Sequence, residues 1–209
     1  MCMSTTWQRV SAILYDPFFW LAERAGLAAR RRALVQQARG RVLEIGAGTG
    51  LNLRHFADDA ELVLSEPDAA MADRLRRRVA EGLRPATVVL APAEALPFAD
   101  GEFDTVVSTL VLCTVPDQAA ALREIRRVLR PGGRLLFMEH IRSESARWAR
   151  WQDRLNTPWR AFAEGCNCNR PTLDVIDAGP LALREVQRGV IPAMVPLIRP
   201  LATGSAVAG

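Results

Sequence analysis

The chain has 209 residues, 49% of them hydrophobic and 24% charged, an ordinary soluble composition with enough apolar side chain for one continuous core. No run of about 18 apolar residues occurs, so no membrane-spanning helix is expected, and no basic segment followed by an apolar stretch marks a secretion signal. The net charge is +4 and every basic residue is arginine, but the arginines are scattered. The runs Arg30-Arg31-Arg32 and Arg76-Arg77-Arg78 read as solvated helix faces and not as a nucleic-acid groove.

In chain order, residues 1–40 are expected to form a helical cap segment, with Trp7, Val10 and Leu14 at helical spacing and Pro17 as an interruption. Residues 41–209 then form the main domain. Arg41 to Ile45, bounded by glycines, suits a buried strand. Gly46 to Gly50 is a turn, and Leu51 to Ala57 is read as a helix. Leu62 to Leu64 is a strand, followed by a helix that Asp68 caps and that carries Leu75 and Val79 on one face. Thr87 to Leu90 and Phe103 to Ser108 are the next strands. Asp117 starts a helix with Leu122, Ile125, Val128 and Leu129 on one side, stopped at Arg130-Pro131-Gly132-Gly133. Arg134 to Glu139 is a fifth strand. An aromatic helical region at 144–163, kinked at Asn156-Thr157-Pro158, and two last strands near 182–187 and 201–207 complete the chain. Strands separated by helices imply parallel units with right-handed crossovers.

The four cysteines are Cys2, Cys113, Cys166 and Cys168. Cys166-Asn167-Cys168 has no second pair at zinc-ligand spacing, and the chain has only 2 histidines. No metal site and no disulfide framework are expected, and a reducing cytoplasm is the expected location.

The segment Val42-Leu43-Glu44-Ile45-Gly46-Ala47-Gly48-Thr49-Gly50 carries the chemistry. Glycines allow tight turns and close approach of a ligand to backbone. The start of a following helix suits a carboxylate. Glu44 offers a negative charge for an ammonium, and Glu66, beyond the second strand, can accept from a ribose diol. A nicotinamide dehydrogenase would place its third glycine one residue later.

Further segments follow in order: Glu66-Pro67-Asp68 with Met71, Ala93-Glu94-Ala95-Leu96-Pro97-Phe98, Asp100-Gly101-Glu102-Phe103-Asp104 and Arg130-Pro131-Gly132-Gly133. Together they resemble the motifs of class I S-adenosylmethionine-dependent methyltransferases. The resemblance implies an α/β Rossmann-like fold, a seven-stranded mostly parallel sheet with helices on both faces and an antiparallel last strand. It implies S-adenosyl-L-methionine as cofactor. Glu44, Gly46, Gly48 and Gly50 would hold its amino-acid end, with Glu66 on the ribose and Ala47 and Asn52 among the cofactor-binding residues. Pro67, Ala93, Glu94 and Ala95 would lie along the adenine, and Met71, Thr109 and Leu110 complete the expected cofactor-binding set. Met71 also fits a plain packing role. Pro92 stands where many relatives carry aspartate, which leaves either Glu94 as a substitute acceptor for the adenine amino group or a weaker hold on the cofactor.

Thr109 to Val115, Phe137-Met138-Glu139-His140, and Glu164-Gly165-Cys166-Asn167 with Arg170 resemble the alkyl thiol methyltransferases of the methyltransferase-like group. This implies a small acceptor, a thiol or other sulfur nucleophile first and a phospholipid amine or quinone second, with a non-catalytic cofactor-binding module as a third reading. The aromatic segments, Phe18, Phe19 and Trp20 among them, argue for a lipophilic acceptor, and the lack of a basic-aromatic groove argues against a nucleic-acid partner. That group carries a hydrophobic N-terminal anchor, which is not evident here, so contact with a membrane is expected to be peripheral at most. His140, after the fifth strand, is the candidate general base, against the plainer reading of a strand-end histidine. Cys113 is a pocket residue or a small buried hydrophobe, and Cys166 and Asn167 line the pocket or make a turn. Trp148 and Trp151 begin a stripe with Leu155, Trp159 and Phe162 that serves as core, as a lid over the acceptor, or as a membrane-facing surface. His55 is read as solvated.

Overall fold

Strand β1 (Arg41–Ile45) is buried from its second residue onward, as its unbroken Val-Leu-Glu-Ile run requires of a strand covered on both faces. The computed structural model describes residues 5–82, 84–163 and 165–209, with side chains from residue 13. Cys2, Glu164 and the side chains of Trp7 and Val10 lie outside the described residues. The elements before β1 are α1 (Thr5–Ala22) and α2 (Ala28–Val35), joined by Glu23–Leu27. The joint bends at Gly26, whose φ of 128° is closed to most side chains. Helix α1 runs through Pro17 without ending there.

After β1 come β2 (Glu61–Ser65), α3 (Ala69–Ala80), β3 (Thr87–Val89), β4 (Phe103–Thr109), α4 (Gln118–Val128), β5 (Leu129–His140), α5 (Ala146–Phe162), α6 (Thr172–Asp177), β6 (Ala182–Val190) and β7 (Pro200–Val207). The strands form one sheet in the order β3-β2-β1-β4-β5-β7-β6, and β7 is antiparallel to both its neighbours. Side chains of β1 divide between the two faces. Leu43 and Ile45 pack with Leu122, Ile125 and Val128 of α4, whereas Val42 packs with Leu34 and Val35 of α2 and Leu75 of α3. Asp68 and Asp117 cap α3 and α4, accepting from Met71 N at 2.9 Å and Ala120 N at 3.0 Å.

Three further expectations change. Residues 51–57 hold no α-helix but one tight turn at Leu53–His55, and the half-buried His55 is part of it. A segment this short gains little from helical hydrogen bonding alone, and Leu53 and Phe56 are instead drawn into the core. Helix α6 adds an element that periodicity does not announce, since it spans only 6 residues. The arginine runs are not uniformly solvated, because Arg31 is buried at 2% exposure.

The strand order reverses direction between β1 and β4, which are paired with Ile45 beside Ser108. Open α/β sheets bind ligands beyond the carboxyl ends of the strands at such a reversal. Those ends carry Glu44, Glu66, Thr109 and His140.

Candidate active site

The three glycines after β1 all have positive φ, 54° at Gly46, 57° at Gly48 and 86° at Gly50. They are glycine for different reasons. A Cβ on Gly46 would lie 2.7 Å from Val111 Cγ2, and one on Gly50 would lie 2.7 Å from Leu75 Cδ1. A Cβ on Gly48 would meet nothing within 4 Å. Gly46 and Gly50 are therefore demanded by packing, while Gly48 borders open space. Ala47 is buried beneath the turn.

Glu44 sits below this turn at 1% exposure. Asn52 Nδ2 donates to Glu44 Oε1 at 2.6 Å and to Thr109 Oγ1 at 2.9 Å. Arg31 Nη1 donates to Asn52 Oδ1 and Thr109 Oγ1, both at 3.2 Å, and Arg31 Nε donates to Glu23 Oε1 at 2.7 Å. Glu44 Oε2 is buried and has no partner among the described residues. A buried carboxylate oxygen in that state is open to a cationic donor. Burial pushes the Glu44 carboxyl up to about 7, against the Asn52 hydrogen bond and the Arg31 charge, which lower it.

Glu66 is held by two backbone amides, Gly48 N to Oε2 at 2.8 Å and Asp68 N to Oε1 at 2.9 Å. Its carboxylate thus lies beside the glycine turn, 6% exposed. Met71 and Ala93 are buried, whereas Pro67, Pro92 and Ala95 are exposed. Glu94 Oε1 accepts from Asp117 N at 3.3 Å, turning that side chain toward the start of α4.

A second cluster begins where β4 ends. Leu110 adopts φ 61°, a left-handed conformation unusual for leucine, and its amide donates to Met138 O at 2.8 Å. The turn after it is gathered by Glu139. That carboxylate accepts from Ser108 Oγ at 2.6 Å, Val111 N at 3.2 Å and Leu112 N at 3.0 Å. Burial again pushes the carboxyl up, to about 7.

Cys113, on this turn, lies 3.7 Å from Cys166, and the Cys166 Sγ lies 3.8 Å from His140 Nδ1. The Cys113 thiol is pushed up by its hydrogen bond to Cys166 and by burial, and Cys166 is drawn down by Cys113 first and by His140 next. His140 is 3% exposed, and its Nε2 has no partner among the described residues. Asn167 does not line the cavity described next. Its amide and Nδ2 both donate to Cys113 O, at 2.9 and 3.3 Å, and so fix Cys166 against Cys113.

Cys113, His140 and Cys166 form the polar corner of a mainly apolar cavity of about 490 Å³. Leu110, Tyr15, Phe18, Trp159 and Phe162 supply much of the remaining wall. Burial raises the Tyr15 phenol far above its ordinary range. Trp148 and Trp151 lie outside the cavity, 37% and 43% exposed. The side of α5 turned inward is Ala149 and Gln152, so the aromatic stripe is not core. It reaches the cavity only at its far end, through Trp159 and Phe162.

Four contributors were not singled out as site residues from the sequence: Arg31, Glu139, Tyr15 and Asp16. Asp16 Oδ1 accepts from Thr49 Oγ1 at 2.6 Å and pairs with Arg78, which also donates to Thr49 O at 2.7 Å. This clamp ties α1 to the glycine turn.

Residues 43–137 match the family described as "Methyltransferase domain". The human thiol S-methyltransferase TMT1A is 35% identical over 170 residues, 79% of this chain and 70% of that protein. Human TMT1B is 32% identical over 193 residues, 87% of this chain and 79% of that protein. Among solved structures, a geranyl diphosphate C-methyltransferase from Streptomyces coelicolor, determined with S-adenosyl-L-homocysteine bound, superposes with a TM-score of 0.68. It is 16% identical, over 87% of this chain and 76% of that one, and supports the fold.

Proposed function

The chain belongs to the methyltransferase family that includes the human thiol S-methyltransferases TMT1A and TMT1B, and we propose that it methylates a small lipophilic thiol. Its cofactor is S-adenosyl-L-methionine, which when bound supplies a methyl group on a sulfonium sulfur. The residues fit that group. The unpartnered Glu44 Oε2 suits its ammonium, the open side of Gly48 admits it, and Glu66 beside the turn suits its ribose diol.

The observation that carries the acceptor reading is the apolar cavity whose polar corner is formed by two cysteines and a histidine. An apolar acceptor loses water contact on entering it, and its sulfur suits the polar corner of Cys113, His140 and Cys166. Positioning of this kind is worth up to about 7–11 kcal/mol in a displacement reaction. Phe18 and Phe162 line the cavity yet remain 45% and 58% exposed, so the mouth is apolar too. Such a rim suits an acceptor delivered from a lipid surface, with the protein in peripheral contact. No helix among the described residues is long and apolar enough to cross a membrane.

Incubation with methyl-labelled cofactor and a panel of alkyl and aryl thiols, quinones and phospholipid amines tests this reading. Labelled thioether from the lipophilic thiols is expected. Labelled quinone or amine with no thioether would replace it. In parallel titrations S-adenosyl-L-homocysteine should bind and NADH should not.

Cofactor affinity should also depend on pH through Glu44. The ammonium is held by the charged carboxylate, and the free site titrates at about 7. Affinity for S-adenosyl-L-homocysteine should rise about tenfold per pH unit well below that value and level off above it. Glu44→Gln should flatten this acid limb and lower the plateau by about 1.5–3 kcal/mol, the worth of a charged hydrogen bond. Calorimetry across pH 5 to 8 measures both, and a steep acid limb surviving in the variant would reassign the ammonium site.

A further inference from the structure

We propose that Cys113, His140 and Cys166 form a three-ligand site for a soft divalent cation, zinc being the natural choice, whose fourth position opens into the cavity and receives the acceptor sulfur. The acceptor half of this proposal rests on the thiol reading above; the metal half does not.

The three ligand atoms come from separate segments: the turn after β4, the last residue of β5 and the loop after α5. All lie within 4.8 Å of one another. Zinc bonds of about 2.3 Å to sulfur and 2.0–2.1 Å to nitrogen, opened at tetrahedral angles, require about 3.8 Å between two sulfurs and about 3.6 Å between sulfur and nitrogen. Cys113 and Cys166 are 3.7 Å apart, and Cys166 is 3.8 Å from His140 Nδ1. Both edges that meet at Cys166 thus have the length of tetrahedral ligand spacings, and the remaining edge, Cys113 to His140, lies within 4.8 Å.

The scaffold that sets those spacings lies outside the ligand set. Asn167 donates twice to Cys113 O and once, at 2.9 Å, to Gly165 O. Asn156 Nδ2 in turn donates to Asn167 Oδ1 at 3.2 Å. Glu139 holds the turn that carries Cys113. Outer hydrogen bonds of this kind keep metal ligands in place. Cys168, two residues beyond Cys166, is not a ligand, because its thiol points to Gln152 O at 3.5 Å and Asn156 Oδ1 at 3.6 Å. The charge also balances: two thiolates neutralise a divalent cation, which an apolar wall would otherwise exclude.

Three protein ligands with an open fourth position are the arrangement of catalytic zinc sites. A metal-bound hydroxide there takes the proton of an incoming R–SH and leaves as water, while the sulfur takes its place on the metal as thiolate. A sulfur lone pair then forms the new S–CH3 bond as the methyl's bond to the donor sulfur breaks. The neutral thioether is a weaker ligand than the thiolate; water would displace it and release one proton to solvent as the hydroxide re-forms, so that each turnover yields one thioether and one proton. His140 is thereby a metal ligand and not the base. Quinones and amines, which offer no thiolate, gain little from such a site.

The test titrates the reduced full-length chain with Co2+ and then with an alkyl thiol. One equivalent should bind, with thiolate-to-cobalt charge-transfer absorption and intense tetrahedral ligand-field bands. The spectrum should be lost in Cys113→Ser and Cys166→Ser and kept in Cys168→Ser. Changes to outer-shell partners cost about 10–100-fold in metal affinity, so loss of a ligand should cost more than about 100-fold in a zinc competition. Zinc should also protect Cys113 and Cys166 of the unsubstituted chain from alkylation, which checks the site without relying on a variant's folding. Added thiol should shift the cobalt bands. A folded chain with no such spectrum, or with the same spectrum after Cys166→Ser, overturns the site. Formation of a Cys113–Cys166 disulfide on mild oxidation, in a chain without metal affinity, overturns it in favour of a redox pair. Cobalt bands insensitive to thiol overturn the open position. Because the spectrum needs no turnover, metal binding without thiol methylation would leave the site standing and sink the acceptor reading. Undiminished thiol methylation after chelation would leave the thiol reading standing and overturn the metal's role in receiving the acceptor sulfur.

Discussion

Gly48→Val should lower affinity for S-adenosyl-L-homocysteine by more than about 100-fold, or about 2.7 kcal/mol, while the protein still folds. The new side chain projects into space that no protein atom occupies within 4 Å. Its cost to the fold is limited to backbone strain at φ 57°, about 1–2 kcal/mol. Gly46→Val and Gly50→Val should behave differently, because their Cβ atoms would run into Val111 and into Leu53 and Leu75. Those two variants should lose thermal stability as well as affinity. Calorimetry with a thermal melt on each variant separates the cases. Unchanged affinity in folded Gly48→Val would move the cofactor elsewhere.

Arg31→Met should cost about 3–5 kcal/mol of stability, the usual result of removing one partner from a buried ion pair. The Arg31 side chain is only 3% exposed and Glu23 is 17% exposed. The substitution leaves Glu23, Asn52 and Thr109 short of a donor at once. In a chain of this length the melting temperature should fall by about 10 °C. The Arg31 charge also lowers the Glu44 carboxyl, so the variant should need a higher pH to reach its full cofactor affinity. Arg31→Lys, which keeps the charge but cannot span three partners, should recover part of the affinity and less of the stability. An unchanged melt for Arg31→Met would show that the network does not depend on the guanidinium.

The pattern of alternating strands is legible in the sequence because its signals are local. The apolar run of β1 between two glycines falls on Arg41–Ile45 as expected, and β6 and β7 begin within one residue of their expected starts. The seven-stranded, mostly parallel sheet follows, as does the methyltransferase family. The segment after Gly50 has the composition of a helix without the length of one. Asn52 there is committed to Glu44 and Thr109, and no α-helix forms. Arg31 does carry a signal, in its spacing. Leu27, Arg31, Leu34, Val35 and Ala38 fall on one helical stripe, and all five are buried. An arginine on an apolar stripe needs a partner, and the stripe is a matter of spacing alone. The aromatic stripe of α5 misleads in the opposite sense. Its periodicity is real, but the side turned inward is the one with Ala149 and Gln152, and amphipathicity alone does not say which face a helix buries. The meeting of Cys113, His140 and Cys166 has no local signature. It joins three segments well separated along the chain, Cys113 to His140 being 27 residues and His140 to Cys166 being 26.

The Asp16 clamp makes the N-terminal helix part of the cofactor equilibrium. Thr49, which it grips, lies between Gly48 and Gly50, so α1 and the glycine turn are ordered together. Coupled equilibria are reciprocal: the factor by which a seated α1 tightens cofactor binding equals the factor by which bound cofactor holds α1 down. Every 1.4 kcal/mol of that coupling is about tenfold in both. A change to the chain ahead of Asp16, be it docking on a lipid surface, a fused tag or a truncation, should therefore shift cofactor affinity from a distance.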